Sequence, residues 1–136
     1  MTDLTRAPNW PTLLAEYVEA RRTTAFEYGV HDCCRFASGA VHAMTGEDPM
    51  ASFTYQNKAQ ALRLIAEDGA LEKLLRDTLG LPLESTAFAL RGDVVLANLD
   101  NGPTVGIVLG ALSAYAAETG LLLLPTRLAR LAWGTG

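Results

Sequence analysis

The sequence predicts an α+β fold in which N-terminal helices pack on a small C-terminal antiparallel sheet. The 136-residue chain is 49% apolar and 19% charged, the composition of an ordinary globular domain. Up to about residue 80, apolar residues recur at the three- and four-residue spacing of helices. After Arg91 they form short β-branched runs separated by turn residues. Helices followed by strands in this order are typical of α+β proteins.

The helical part, about residues 10–80, contains four predicted helices. The first runs from about Pro11 to Thr23, because proline is favoured at the first helical position and an apolar stripe follows it. The second, "CCRFASGAVHAMTG", starts after Asp32 and is stopped by Gly46. Two shorter amphipathic helices, "KAQALRLIAEDG" and "LEKLLRDTLG", each end in a glycine, which suits a helix C-terminus.

The sheet part, about residues 91–133, begins with a predicted antiparallel hairpin. The apolar runs "GDVVLANL" and "TVGIVLGA" are joined by the turn signal "DNGP". The stretch "SAYAAETGLLLLP" is expected to supply a third strand around a turn at Glu118–Gly120. The tail "LARLAWGTG" is expected to form a last strand or a short helix.

The second helix places a cysteine where a thiolate is favoured. Asp32 suits the N-cap, where its carboxylate accepts the free N–H groups of the first turn. Cys33 then occupies the first helical position, where unpaired N–H groups and the helix dipole lower a cysteine pKa. Cys33 also begins the apolar stripe that is expected to face the sheet, so the position equally suits a small packed residue. Cys34 points elsewhere and is interpreted as a plain buried or half-buried thiol.

The only two histidines of the chain flank these cysteines. His42 lies about 180° around the helix from Cys33 and roughly 13 Å along it, so it cannot serve as the base of that thiol. His31 precedes the N-cap and is a weak candidate base, because residues two apart rarely align for proton transfer. The same geometry argues against a zinc site built from the two histidines and the two cysteines. No metal and no other cofactor is predicted.

Charge and hydropathy restrict the partners. The net charge is −4 and the basic residues are scattered, which argues against nucleic acid as the main partner. The longest apolar stretch, Val105–Ala117, is too short to span a membrane and is broken by glycine. The first twenty residues lack the continuous apolar core of a secretory signal. We therefore expect a chain that is made in the cytoplasm with reduced thiols.

Several motifs together resemble the NlpC-type cell-wall endopeptidases, a papain-like superfamily. The motifs are "YG", the "DC" that opens a small-residue helix, "RGDVV" and "TVGIVLG", in this order between about Phe26 and Gly110. The spacing, together with "MTGEDPM", is closer still to small NlpC-like proteins that are encoded among the tail genes of tailed phages and prophages. The resemblance implies a single NlpC-like domain over residues 1–136, with the cysteine at the N-terminus of a core helix.

The resemblance also implies roles for individual residues. Cys33 matches the nucleophile, and Gly92–Asp93 match the start of the first core strand. The position of the histidine base, just before "VGI", is occupied by Thr104, and a threonine does not accept a proton near neutral pH. Tyr115 and Glu118 are the nearest candidates for the third, orienting residue. "RGDVV" is expected to be framework, with Arg91 and Asp93 pairing or capping locally.

The resemblance therefore implies a catalytically degenerate NlpC-like domain that acts as a structural or assembly component of a phage tail tip. Its expected partners are other tail-tip proteins, and its expected location is the virion tail after synthesis in the bacterial host. An exposed apolar patch is expected at "GLLLLPTRLARLAW" or "ASFTYQ". The alternative is an active hydrolase of peptidoglycan peptides with Cys33 as nucleophile. A third interpretation is a toxin–immunity or stress protein on the same fold.

Overall fold

The computed structural model describes residues 4–28, 30–51, 59–60, 69–100 and 102–136. Within these residues, three helices precede a five-stranded sheet, which confirms the predicted α+β fold. The helices and strands are α1 (Trp10–Arg21), α2 (Cys33–Thr45), α3 (Ala70–Leu79), β1 (Val94–Leu99), β2 (Gly102–Val108), β3 (Leu112–Ala117), β4 (Gly120–Pro125) and β5 (Leu131–Trp133). The helix predicted over "KAQALRLIAEDG" and the segment "ASFTYQ" lie mostly outside the described residues. None of the described helices has the length and apolar character needed to cross a membrane.

All five strands are antiparallel, in the order β4-β3-β2-β1-β5. The predicted first hairpin is confirmed, with Val94 opposite Ile107 and Leu99 opposite Gly102. The stretch "SAYAAETGLLLLP" contributes to two strands rather than one, because the turn inside it pairs β4 with β3, which begins one residue earlier at Leu112. Of the two structures expected for the tail, the strand forms, as β5; a short 3-10 turn at Thr126–Leu128 precedes it and shares only Leu128 with the tail.

Helix α2 begins and ends where its local signals place it. The backbone N–H of Arg35 donates to Asp32 Oδ1 at 2.8 Å, which confirms the N-cap. Gly46 ends the helix at φ 81°, a left-handed conformation that glycine adopts without steric cost. The stripe that starts at Cys33 and ends at Met44 is buried in the core between α2 and the sheet. The N-terminus of α2 is thereby held beside the strands.

Tyr17 fixes α1 against α2. Its ring stacks on Phe36 with 5.7 Å between the centroids, and its hydroxyl donates to the Phe36 carbonyl at 2.8 Å. The guanidinium of Arg21 lies 3.7 Å from the centroid of the same ring. Gly39 provides the space, because a Cβ there would collide with the Tyr17 side chain. Burial raises the pKa of Tyr17 to about 12, so its hydroxyl stays a donor across the physiological range.

Asp93 stands directly before β1 and holds the start of the sheet. Its Oδ2 accepts the backbone N–H of Leu90 at 2.9 Å, which confirms the predicted local cap. The ion pair, however, is with Arg6 at 2.9 Å rather than with Arg91. Arg91 contributes its backbone carbonyl, which accepts from Arg6 Nη1 at 2.9 Å. The N-terminal segment runs beside the start of β1, so a residue 87 positions earlier in the chain supplies the cation.

The face of the sheet opposite α2 is covered by the segment between α3 and β1. Leu83 and Ala89 of that segment pack against a second core cluster, and the Leu83 N–H donates to the Ala132 carbonyl of β5 at 2.8 Å. This second cluster contains the side chains of Val95, Ala97, Val108, Tyr115, Ala129 and Ala132. The sheet is therefore packed on both faces, and Tyr115 belongs to the face away from α2.

Candidate functional site

A cleft opens where β2 and β3 part. The register pairs these strands at Ile107 with Ala114 and at Val108 with Ser113, whereas β1 and β2 stay paired to the end of the hairpin. The cleft has a volume of about 650 Å³. Its walls come from the first hairpin, from β3 and β4, and from the start of α2 with the segment before it: Phe26, Tyr28, Cys33, Asn98, Leu99, Asp100, Pro103, Thr104, Tyr115, Ala116, Ala117, Glu118, Leu122 and Leu124.

Cys33 borders this cleft at the N-terminus of α2, and β2 directs a backbone donor at it. Leu96 of β1 faces Val105 of β2, and the Leu96 carbonyl accepts from Arg130 on the far side of β1. In an antiparallel pair of strands, two facing residues either bond to each other or both direct their backbone groups away from each other. Because the Leu96 carbonyl bonds on the far side of β1, its partner Val105 belongs to the second kind. The N–H of Val105 therefore points away from β1, and it acts to lower the pKa of the Cys33 thiol.

Cys34 shares a hydrogen bond with Cys33. That bond lowers the pKa of Cys33, and the N–H groups of Val105 and Cys34 act in the same direction, against the effect of burial. The same bond and burial raise the pKa of Cys34 well above its usual range. Cys34 is a buried free thiol, which confirms the interpretation of it as a buried thiol.

Thr104 lines the same cleft as Cys33. The two positions that match the nucleophile and the base of the NlpC-type enzymes thus share one cavity. The Thr104 hydroxyl donates to the Gly102 carbonyl at 3.1 Å. No histidine is among the described residues that line the cleft.

A family model described as a domain of unknown function, DUF6950, matches residues 5–135. The chain belongs to the DUF6950 family. The match includes α1, α2, all five strands and both walls of the cleft. No curated protein matches the chain.

The two histidines of this DUF6950 domain lie away from the cleft lining. His42 is exposed on α2. His31 is 4% exposed, and its ring meets the edge of Phe36 with 5.8 Å between the centroids. Its Nε2 atom has no hydrogen-bond partner among the described residues. The weak candidate base is therefore packed beside the contact of α1 and α2, on a different set of neighbours from the thiol.

The packing of His31 makes stability depend on pH. Burial and, secondarily, the nearby Arg21 lower the pKa of His31. When the pH falls through about 6.5, His31 takes up a proton in the unfolded chain before it does so in the folded chain. The free energy of unfolding is therefore unaffected by His31 well above that pH and is lowered below it. We expect the free energy of unfolding to fall between about pH 7.5 and 5.5, with at most about 1.4 kcal/mol per pH unit from this one group.

The measurement is urea unfolding of the wild type and of His31→Gln at a series of pH values. His31→Gln is expected to flatten the slope, because it removes the titrating group. The matched control is His42→Gln, which changes the exposed histidine of the same chain and is expected to keep the wild-type slope. An unchanged slope in His31→Gln would contradict the assignment.

The cleft of the DUF6950 domain carries an unused hydroxyl and two carboxylates. Tyr115 is 1% exposed, and its hydroxyl has no partner among the described residues. Burial raises the pKa of Tyr115, so the group is a neutral donor. Asp100 and Glu118 are exposed and line the cleft, whose described lining contains no lysine, arginine or histidine. Both candidates for the orienting residue, Tyr115 and Glu118, thus border the cavity of Cys33.

The described residues offer no set of metal ligands. No group of three or more histidine, cysteine, aspartate or glutamate side chains is placed to hold an ion within that part of the chain. Cys33 and Cys34 give two sulfur ligands, whereas structural zinc sites use four ligands.

Proposed function

We propose that this DUF6950 domain is a catalytically degenerate NlpC-like domain that serves as a structural or assembly component of a tailed-phage or prophage tail tip. The order of elements supports the NlpC-like part of the proposal. Cys33 opens a core helix, Asp93 leads into the first strand of the sheet, and Thr104 lies on the second strand in the cavity of the thiol. The resemblance of the motifs supplies the tail-tip part.

The observation that carries the proposal is the hydroxyl of Thr104 at the position of the base. Hydrolysis by a cysteine nucleophile requires a group that protonates the departing amine, which an imidazole provides and a threonine does not. General acid–base catalysis typically contributes about 10²- to 10⁴-fold to a rate. Removing one member of a catalytic unit forfeits most of the benefit of the unit. The domain therefore keeps a binding cleft and loses efficient turnover.

Apolar surface on the outer part of the sheet supports a role in assembly. β4 is an edge strand. It is the first part of the stretch "GLLLLPTRLARLAW", which continues into the turn that follows β4. Four leucines on β3, β4 and this turn are between 42% and 52% exposed: Leu112, Leu122, Leu123 and Leu128. Exposed apolar surface of this kind is typical of contacts with other proteins.

Complementation of a deletion tests the assembly role. The gene is deleted from the phage or prophage that carries it, and particles are examined by electron microscopy and by mass spectrometry of purified tails. We expect incomplete or unstable tails that lack the protein, and rescue by both the wild type and Cys33→Ser. Intact, infectious tails without the gene would exclude the proposal. Rescue by the wild type but not by a folded Cys33→Ser would show that the thiol itself is required.

The second candidate is the active hydrolase of peptidoglycan peptides, and the lowered pKa of Cys33 beside an open cleft favours it. Wild type, Thr104→His and Thr104→His/Cys33→Ser are compared on muropeptides by mass spectrometry. We expect no turnover by the wild type and measurable cleavage by Thr104→His that the double variant loses. Cleavage by the wild type that Cys33→Ser abolishes would replace the structural proposal with the enzymatic one.

A further inference from the structure

The tips of the two hairpins border the cleft, and each tip carries a carboxylate. The chain turns directly after β1 and directly after β3, at the same end of the sheet. Asp100 and Glu118 are the first residues after these two strands, and both are exposed and line the cleft. Because β2 and β3 are paired only at the other end of the sheet, the two tips part and leave the cavity between them. The two carboxylates therefore border one cavity from different hairpins.

These carboxylates have no counter-charge in the described part of the molecule. No ion pair of the described residues includes Asp100 or Glu118, and the described lining contains no lysine, arginine or histidine. Arg22 lies behind the second tip, where its carbonyl accepts the Leu121 N–H at 2.9 Å, but its guanidinium is 3.6 Å from the carboxylate of Glu19. The negative potential of the cleft therefore favours a cation over an anion.

Phe26 and Tyr28 form an aromatic corner in the wall of the same cleft. Their rings stand at 81° to each other with 4.8 Å between the centroids, and both side chains are half-buried and line the cavity. The Phe26 N–H donates to the Glu118 carbonyl at 3.2 Å, so the aromatic corner is held beside a residue that carries one of the two carboxylates. Aromatic faces attract cations, and recognition sites for quaternary ammonium groups are built from them.

The rest of the wall favours an organic cation over a metal ion. Metal ions that bind oxygen require about six or more ligands, and no third metal-ligating side chain joins the two carboxylates within the described residues. The volume of about 650 Å³ lies in the range of small-molecule sites. Apolar side chains that could cover the body of such a ligand also line the cleft: Leu99, Pro103, Leu122 and Leu124.

We propose that the cleft binds an organic ammonium cation, attracted by Asp100 and Glu118 and seated against the aromatic corner of Phe26 and Tyr28. The apolar part of the ligand lies along the leucines of the wall. Binding involves no covalent step and no metal. A small free cation and a lysine side chain of a partner protein both present this chemistry. The inference does not depend on the tail-tip role.

Three molecules of similar shape and different charge test the proposal on the full chain. Choline is the cation, 3,3-dimethylbutan-1-ol is its neutral isostere, and 3,3-dimethylbutanoate is the anion. Binding is followed by NMR chemical-shift titration at about pH 7 and low ionic strength. We expect saturable shifts at cleft residues with choline, at least about tenfold tighter binding than the alcohol, and no saturable shift with the anion. The preference for choline is expected to shrink in about 0.5 M salt.

A second pair of probes separates the two sources of the ammonium group. Acetyl-alanyl-lysyl-alanine amide is compared with the same peptide carrying norleucine, which has a hydrogen atom in place of the ammonium group of lysine. Tighter binding of the lysine peptide than of choline would support a partner protein as the source. Tighter binding of choline would support a small free cation. Either result agrees with the proposal, because the shared ammonium group is the recognised feature.

The carboxylates are tested with a charge-matched control. Asp100→Asn/Glu118→Gln is expected to weaken choline binding by about tenfold and to leave the binding of the alcohol unchanged. The control, Asp77→Asn/Glu84→Gln, removes the same charge at two exposed positions outside the cleft lining. It is expected to keep the wild-type affinity for choline, because only charges close to the bound cation act on it strongly.

The aromatic corner is tested by Phe26→Leu, which keeps an apolar side chain and removes the ring. We expect choline to bind about threefold to tenfold more weakly and the alcohol to bind as before, with an unchanged dispersion of the NMR spectrum. The carboxylate variants keep the proposal testable if Phe26→Leu fails to fold. Absence of saturable choline binding, equal affinity for choline and the alcohol, or an equal loss in the control and cleft double variants would overturn the proposal.

Discussion

Replacing Asp93 by alanine is expected to lower the free energy of unfolding by about 3–5 kcal/mol. The Asp93 carboxylate pairs with Arg6 at 2.9 Å and accepts the backbone N–H groups of Leu90 at 2.9 Å and Thr135 at 3.4 Å. The Arg6 side chain is only 12% exposed, so the variant leaves a largely buried cation without its counter-charge. Urea unfolding followed by circular dichroism measures the loss.

The matched control for this prediction is Asp77→Ala. Asp77 pairs with Lys73 at 2.8 Å on the exposed surface of α3, so the bond is as short as that of Asp93 but both side chains are in water. We expect almost no change in the unfolding midpoint, because exposed ion pairs contribute little. An Asp93→Ala variant that unfolds at the same urea concentration as Asp77→Ala would show that Arg6 finds other partners.

The Asp93 network joins residues near both ends of the range that the family model matches. Arg6 comes from the N-terminal segment and Thr135 from the C-terminal tail, and both contact Asp93. Thr135 additionally donates to the Gly92 carbonyl at 2.6 Å. Arg6 and Thr135 thus both lie at the start of β1, so truncation that removes either residue is expected to remove a partner of the same carboxylate.

Features with local causes could be predicted from the sequence. Asp32 caps a helix through an N–H three residues away, and Gly46 ends the same helix by its own backbone conformation. The first hairpin was equally predictable, because its turn residues and β-branched runs are contiguous. The leucine run of β4 was harder to assign to a face, because a continuous apolar stretch has no alternation that tells one side of a strand from the other.

Features that join distant parts of the chain could not be predicted. Nothing near Asp93 in the sequence indicates that its cation is Arg6. The N–H of Val105 reaches Cys33 only because β2 turns its unpaired groups away from β1 at a point where β3 has left it. The position of Thr104 was placed by resemblance alone, and its presence in the cavity of Cys33 appears only when the two strands and the helix are packed together.

Gly106 leaves room for the Tyr115 ring, which packs in the second core cluster. A Cβ at Gly106 would lie 2.5 Å from Cε1 of the Tyr115 ring and 2.7 Å from the Ala114 carbonyl oxygen. The ring belongs to a buried side chain and the oxygen to the backbone of the neighbouring strand, so neither can move freely. We expect Gly106→Ala to lower the free energy of unfolding by about 2–3 kcal/mol, the cost of overpacking a core.

Two further variants separate overpacking from a general effect of alanine. Gly134→Ala places the same methyl group where no atom lies within 4 Å, and it is expected to leave stability nearly unchanged. Gly106→Ala combined with Tyr115→Leu is expected to lose less than the sum of the two single variants, because the leucine removes the ring that the methyl group meets. Strictly additive losses would mean that the ring does not lie over Gly106.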